Sequence, residues 1–261
     1  MRRTAGVERV YSDDQEATAY LESDIARNAL EIWELKFESD RFELYAVRDE
    51  GRTVAHLSNY HAPEADYVIV GGRATAILPL LSLVPPKAVV ILAADAFEAA
   101  KGSIRPGLVY RVDLMMVRRD EERLVEPRAA VWLSEKHTEE YAAFSPPGIP
   151  QAPVDYARDF IARHPTLGVL DDGKLVAVAS LGAFLPSMAV IMAVETLKAS
   201  RRKGHGSAVV SAAVREALSR SEACSLWVAG ENAGAISLYR KLGFNKVGEA
   251  LWADLGTGQH P

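Results

Sequence analysis

Arg201-Arg202-Lys203-Gly204-His205-Gly206-Ser207 stands between an apolar, strand-like run and a segment whose apolar residues Val210, Ala213, Val214, Ala217 and Leu218 recur at helical spacing. The stretch reads as a strand end, a tight glycine turn and a helix N-terminus. Such a terminus presents backbone N–H groups that lack an intrahelical acceptor, together with the positive end of the helix dipole. A diphosphate is a fitting ligand for it. Gly204 and Gly206 allow a close approach, because a Cβ at either place would occupy the phosphate's position.

The spacing separates this loop from two other phosphate cradles. A GxxxxGK[ST] loop needs lysine and a hydroxyl after its second glycine, whereas Gly206 is followed by Ser207-Ala208. A GxGxxG fingerprint needs glycine where Val209 stands, and no acidic residue ends a second strand about 20 residues on. Arg201-x-x-Gly204-x-Gly206 does match [QR]-x-x-G-x-[GA], and so resembles the acyl-CoA loop of the GNAT superfamily of N-acetyltransferases. A second segment, Leu226-Trp227-Val228-Ala229-Gly230-Glu231-Asn232-Ala233-Gly234-Ala235-Ile236-Ser237-Leu238-Tyr239-Arg240-Lys241-Leu242-Gly243-Phe244, looks like the family's strand, Asn-x-x-Ala turn and helix ending in Leu-Tyr-x-Lys-Leu-Gly-Phe. The two motifs stand in the family's order and spacing.

The resemblance implies a C-terminal GNAT fold with a mixed central sheet, acetyl-CoA as acyl donor, and direct attack on the thioester by a substrate amine. It assigns the diphosphate to Arg201, Arg202, Lys203, Gly204, His205, Gly206 and Ser207, with the backbone of His205 mattering more than its imidazole. It assigns the pantetheine arm to the main chain of Val194, Glu195 and Thr196, and carbonyl polarisation to the N–H of Val194. Tyr239 would protonate the leaving thiolate, although its place beside Ile236 and Leu242 also fits plain core packing. Asn232 would cap its helix and touch the pantetheine arm. No metal ligands are nominated.

One position departs from the family. Many relatives carry Glu eleven residues before the first residue of the loop signature, and here that residue is Val190. Strand alternation turns Glu195 away from the side shared by Val190, Met192, Val194 and Thr196, so Glu195 is not nominated as base. Ordered water, Ser187 or Glu249 remain as routes for the proton. The missing carboxylate keeps a second reading open, a module that binds acyl-CoA as a sensor without catalysis.

The chain of 261 residues is natural for two domains. Its composition, 49% hydrophobic and 25% charged, is that of a globular protein, and a net charge of −5 gives no overall reason to bind nucleic acid or an anionic membrane. Cys224 is the single cysteine, and the basic N-terminus lacks the apolar stretch of a signal peptide, so a cytoplasmic location is expected. Leu175 to Val194 is uncharged over a membrane-spanning length, yet Gly182, Pro186 and Ser187 divide it into two strands and a turn.

Prolines crowd residues 144–153, which are expected to link an N-terminal α/β lobe, 1–143, to the acetyltransferase domain, 154–261. The first lobe reads as mixed α/β, with a helix over 13–35, strands over 42–48, 53–60, 67–70, 88–93 and 109–118, and helices over 74–83 and 97–101. Leu44 to Ala55 and Leu167 to Ala177 share an apolar strand, an acidic-Gly-basic turn and a second apolar strand. A degenerate GNAT copy accounts for this, and an unrelated α/β lobe is the alternative. The first lobe could also form a homodimer contact or wall one side of the amine site.

Overall fold

In the computed structural model, which describes residues 6–125, 130–144 and 153–258, contacts divide the chain at Asp113/Leu114. Unit 1 holds Met1–Asp113, Ala229–Glu231 and Gly248–Pro261; unit 2 holds Leu114–Val228 and Asn232–Val247. The division falls upstream of the proline-rich segment, of which 145–152 lie outside the described residues. The reason is packing: Leu133, Tyr141 and Phe144 share one apolar cluster with Ala157, Leu175 and Val178.

Unit 1 begins with β1 (Val7–Val10), α1 (Gln15–Glu22) and α2 (Ile25–Phe37). The helix expected over 13–35 is thus two. Asp14 caps α1 by accepting from the Ala17 N–H at 3.0 Å, and the Ser23 hydroxyl bonds back to the Tyr20 carbonyl at 2.6 Å, ending the first helix before the second starts. There follow β2 (Phe42–Asp49), β3 (Arg52–His61), β4 (Asp66–Gly72), β5 (Ala88–Leu92) and α3 (Ala94–Ala100). The helix expected over 74–83 is only a short 3-10 turn, Leu78–Leu83, with Pro79 in its first turn.

The strand β6 (Leu108–Arg118) leads from unit 1 into unit 2, where β7 (Ala130–Trp132), α4 (Thr138–Tyr141), α5 (Pro153–Arg163), β8 (Thr166–Asp171), β9 (Lys174–Phe184) and β10 (Ala189–Thr196) follow. Then come α6 (His205–Arg220), β11 (Ala223–Ala229), α7 (Ala233–Lys241) and β12 (Asn245–Asp254), whose last residues return to unit 1. In unit 1 the strands run β1-β2-β3-β4-β5-β12, and in unit 2 β6-β11-β10-β9-β8-β7. The pairing is mixed in each unit: β4 and β5 are parallel, as are β10 and β11, among antiparallel neighbours.

The core of unit 2 forms where α6 lays Ala208, Val209, Val210, Ala213, Val214 and Ala217 on the sheet side carrying Ala179, Leu181, Ala189 and Ile191. Each Val or Leu so buried contributes about 1.5–3 kcal/mol. This packing fixes where the helix begins, and with it the direction of its first amides.

The parallel pairs differ between units. In unit 1, β4 and β5 are in register over five residues, from Asp66↔Ala88 to Val70↔Leu92. In unit 2, β10 and β11 pair only at Ala189↔Cys224 and Val190↔Ser225.

Candidate active site

Beyond Val190 the strands β10 and β11 part, leaving a wedge-shaped gap in the sheet of unit 2. On its other side β10 stays paired with β9, but with a bulge: Met192 faces Ser180 and Glu195 faces Val178, so Ala193 and Val194 together oppose Ala179. Ala193 takes a left-handed φ of 48°. A bulge releases main-chain groups from the ladder and turns the strand, here at the mouth of the gap.

The bulge also inverts the alternation expected from the sequence. Ala189 and Ile191 belong to the core under α6, and Val194 packs against the same core, three residues after Ile191 rather than two or four. Thr196 follows it, since its Oγ1 lies 3.2 Å from where a Cβ on Gly206 would stand. Val190, Met192 and Glu195 therefore share the opposite face. The expectation that Glu195 turns away from Val190 is corrected, because the extra residue at 193–194 shifts every later side chain to the other side.

The loop that follows is built as expected in form. Arg201 donates from Nε to the Thr196 carbonyl at 3.0 Å, and Arg202 has a left-handed φ of 64°. Gly204 is the N-cap of α6 with φ 87°, and a Cβ there would meet nothing within 4 Å. No side chain caps α6. Its first intrahelical bond runs from the Ala208 N–H to the Gly204 carbonyl at 3.0 Å, which leaves the amides of His205, Gly206 and Ser207 ahead of the ladder. By contrast, α7 is capped by Asn232, whose Oδ1 accepts from the Ala235 N–H at 3.1 Å. An uncapped terminus beside open space is what an anionic ligand fits.

Two residues of the loop reach toward β8. The buried His205 places Nε2 3.4 Å from Asp171 Oδ2, and Lys203 Nζ lies 3.8 Å from the same oxygen. The imidazole, which sequence reasoning set aside, places the loop against the end of β8, with neither ring nitrogen hydrogen-bonded. Nothing in the Asp171-Asp172-Gly173 turn announced that contact, which depends on how the hairpin packs beside α6.

Tyr239 lies on α7 in the unit 2 core, with its ring 5.7 Å from that of Phe244. Burial pushes its phenol up to about 12. Leu238, one residue earlier, comes within 3.6 Å of the Cβ position of Gly206, so α7 stands beside the start of α6. Glu195 is exposed at the edge of the gap, yet partial desolvation raises its carboxyl above the usual range, opposed by the Arg201 guanidinium. Ser187, in the turn before β10, sits at the strand end away from the bulge. Glu249 belongs to unit 1. Cys224 is buried, with its thiol raised by desolvation and secondarily by Glu122, as a structural rather than a reactive thiol requires. Among the described residues no helix is long and apolar enough to cross a membrane.

Residues 133–244 match the family model described as acetyltransferase (GNAT) family. No curated protein matches the sequence. Among solved structures, a Drosophila protein from a structural genomics consortium has a TM-score of 0.76 at 12% identity, covering 97% of this chain and 99% of its own. A tandem GNAT protein from the clavulanic acid biosynthesis pathway has 0.60 at 15%, covering 96% and 99%. A putative GNAT acetyltransferase from Novosphingobium aromaticivorans has 0.55 at 20%, covering 76% and 86%. These likenesses concern the fold. Residues 133–244 thus match the acetyltransferase (GNAT) family model, and the chain shares its fold with a tandem GNAT protein.

Proposed function

We propose that unit 2 transfers an acetyl group from acetyl-CoA to a primary amine by direct attack within a ternary complex. The observation that carries this reading is the gap between β10 and β11, opening at the Ala193 bulge beside the uncapped start of α6. Acetyl-CoA would supply the activated thioester. The amides of His205, Gly206 and Ser207 would hold its diphosphate, with Arg201, Arg202 and Lys203 adding charge; each charge-assisted bond contributes roughly 1.5–3 kcal/mol. Val194, Glu195 and Thr196 would line its arm through main-chain groups, joined by the Asn232 side chain.

The Val194 N–H, at the bulge, would polarise the thioester carbonyl as charge develops on its oxygen. The Tyr239 phenol, kept protonated by burial, would donate to the departing sulfur. A cytoplasmic setting goes with this reading, supported by a single buried cysteine.

The second reading, an acyl-CoA sensor without turnover, is favoured by one observation, the apolar Val190 where relatives carry a carboxylate. Following CoA release with polyamines, amino acids, lysine peptides and aromatic amines separates the two. Turnover with one class establishes the enzyme, whereas tight acetyl-CoA binding with no turnover across the panel establishes the sensor.

A further inference from the structure

The gap is bordered by β10 and β11, and these two strands with β9 beside them contain no Asp or Glu except Glu195. Its position follows from the bulge. The face of β10 that bears Ile191, Val194 and Thr196 is closed by α6, so an acceptor can reach a carbonyl held at the Val194 N–H only from the face of Val190, Met192 and Glu195. Glu195 is the next residue along the chain from Val194, about 3.8 Å away between Cα atoms. It is solvent-accessible, so an incoming ammonium can meet it.

From this we infer that Glu195 is the catalytic base of the transfer, receiving the acceptor's proton five residues past Val190, the partner of Ser225, where no carboxylate exists. The inference rests on the acetyltransferase reading above. The Glu195 carboxylate takes one proton from the ammonium form of the acceptor and passes it to bulk water. The freed nitrogen lone pair forms the C–N bond to the thioester carbonyl carbon, and the C–S bond breaks with its electron pair on sulfur. Tyr239 gives the sulfur a proton and regains the one that the new amide nitrogen sheds.

Two further features agree. Desolvation raises the Glu195 carboxyl, making its ionised form a stronger base than an ordinary glutamate, while Arg201, the charged group acting on it, keeps it from rising further. Val190 and Met192 make the rest of the face apolar, which suits an amine carrying its charge beside a hydrocarbon substituent.

The test compares the full-length chain with Glu195→Gln and Glu195→Asp, measuring acetyl-CoA affinity by calorimetry and CoA release with the amine panel across pH. We expect Glu195→Gln to keep the acetyl-CoA Kd within about threefold while kcat/KM falls by roughly 10²–10⁴-fold, the range of general-base catalysis. The rising acid limb of the pH profile disappears in this variant, and Glu195→Asp restores part of the rate. A glutamine variant with unchanged kcat/KM and pH profile, in a background where the parent turns over, overturns the role of Glu195 alone. A parent that binds acetyl-CoA but acetylates no amine overturns the acetyltransferase reading, and this inference with it.

Discussion

His205 buries its imidazole with Nε2 3.4 Å from Asp171 Oδ2, linking the first residue of α6 to the last residue of β8. Asp171 is 41% exposed, so with the imidazole protonated solvent screens the pair to the scale of a surface ion pair, about 0.2–1 kcal/mol. Asp171→Ala should therefore weaken acetyl-CoA binding by up to roughly fivefold, by letting the cradle drift, and should barely alter the melting temperature. Calorimetry checks this, and an affinity equal to the parent's argues that the loop is held by other means.

Gly204 and Gly51 form a matched pair for a second measurement. Both have left-handed φ, 87° and 81°, and a Cβ on either meets nothing within 4 Å. An L side chain in this region costs about 1–2 kcal/mol, so Gly204→Ala and Gly51→Ala should lose similar stability in denaturant melts. Only Gly204→Ala should lower acetyl-CoA affinity, by tenfold or more. Equal affinity in both variants would place the diphosphate elsewhere.

Tyr239→Phe keeps the buried ring against Phe244 and removes only the hydroxyl. The expected result is unchanged acetyl-CoA binding with kcat reduced by roughly 10²–10⁴-fold. Full activity in the phenylalanine variant would reduce Tyr239 to a packing residue.

The first unit carries its own titration. Glu34 is buried on α2 with its carboxyl held well above the ordinary value, by desolvation first and then by Glu31 and Glu38. Glu31 itself accepts from the Ser58 hydroxyl at 2.7 Å and lies 3.1 Å from His56 Nε2. Because the folded state binds the Glu34 proton more tightly than the unfolded state, stability is retained below the ordinary carboxylate range and falls as pH rises from there toward the elevated folded value. Glu34→Gln should flatten that decline, raising the melting temperature at neutral pH relative to the parent while matching it in acid. Parallel pH curves for the two proteins would show that Glu34 is not the titrating group.

The glycine turn and the helix starts were legible in the sequence because glycine positions and helical periodicity are local signals: Arg201 to Ser207 and Asn232 to Phe244 need no tertiary information to be placed. The facing of Glu195 was not. A bulge at Ala193 has no glycine to mark it, and strict alternation then assigns every later residue to the wrong side. The break at Ser23-Asp24 was hidden for a related reason, since the apolar period runs through both helices and only the Ser23 hydroxyl bond to Tyr20 ends the first. Leu78–Leu83 shows a third case, where apolar content suggested a helix but Pro79 limited it to a 3-10 turn. The short strand Val7–Val10, exposed at three of four residues, offers too little burial to pattern its sequence.

The unbroken ladder of five residue pairs between β4 and β5 has a stoichiometric consequence. In the reading proposed above a thioester arm enters the sheet where parallel neighbours have come apart, and the described residues of unit 1 provide no such opening, so calorimetric titration should saturate at one equivalent of acetyl-CoA per polypeptide, with a single enthalpy throughout.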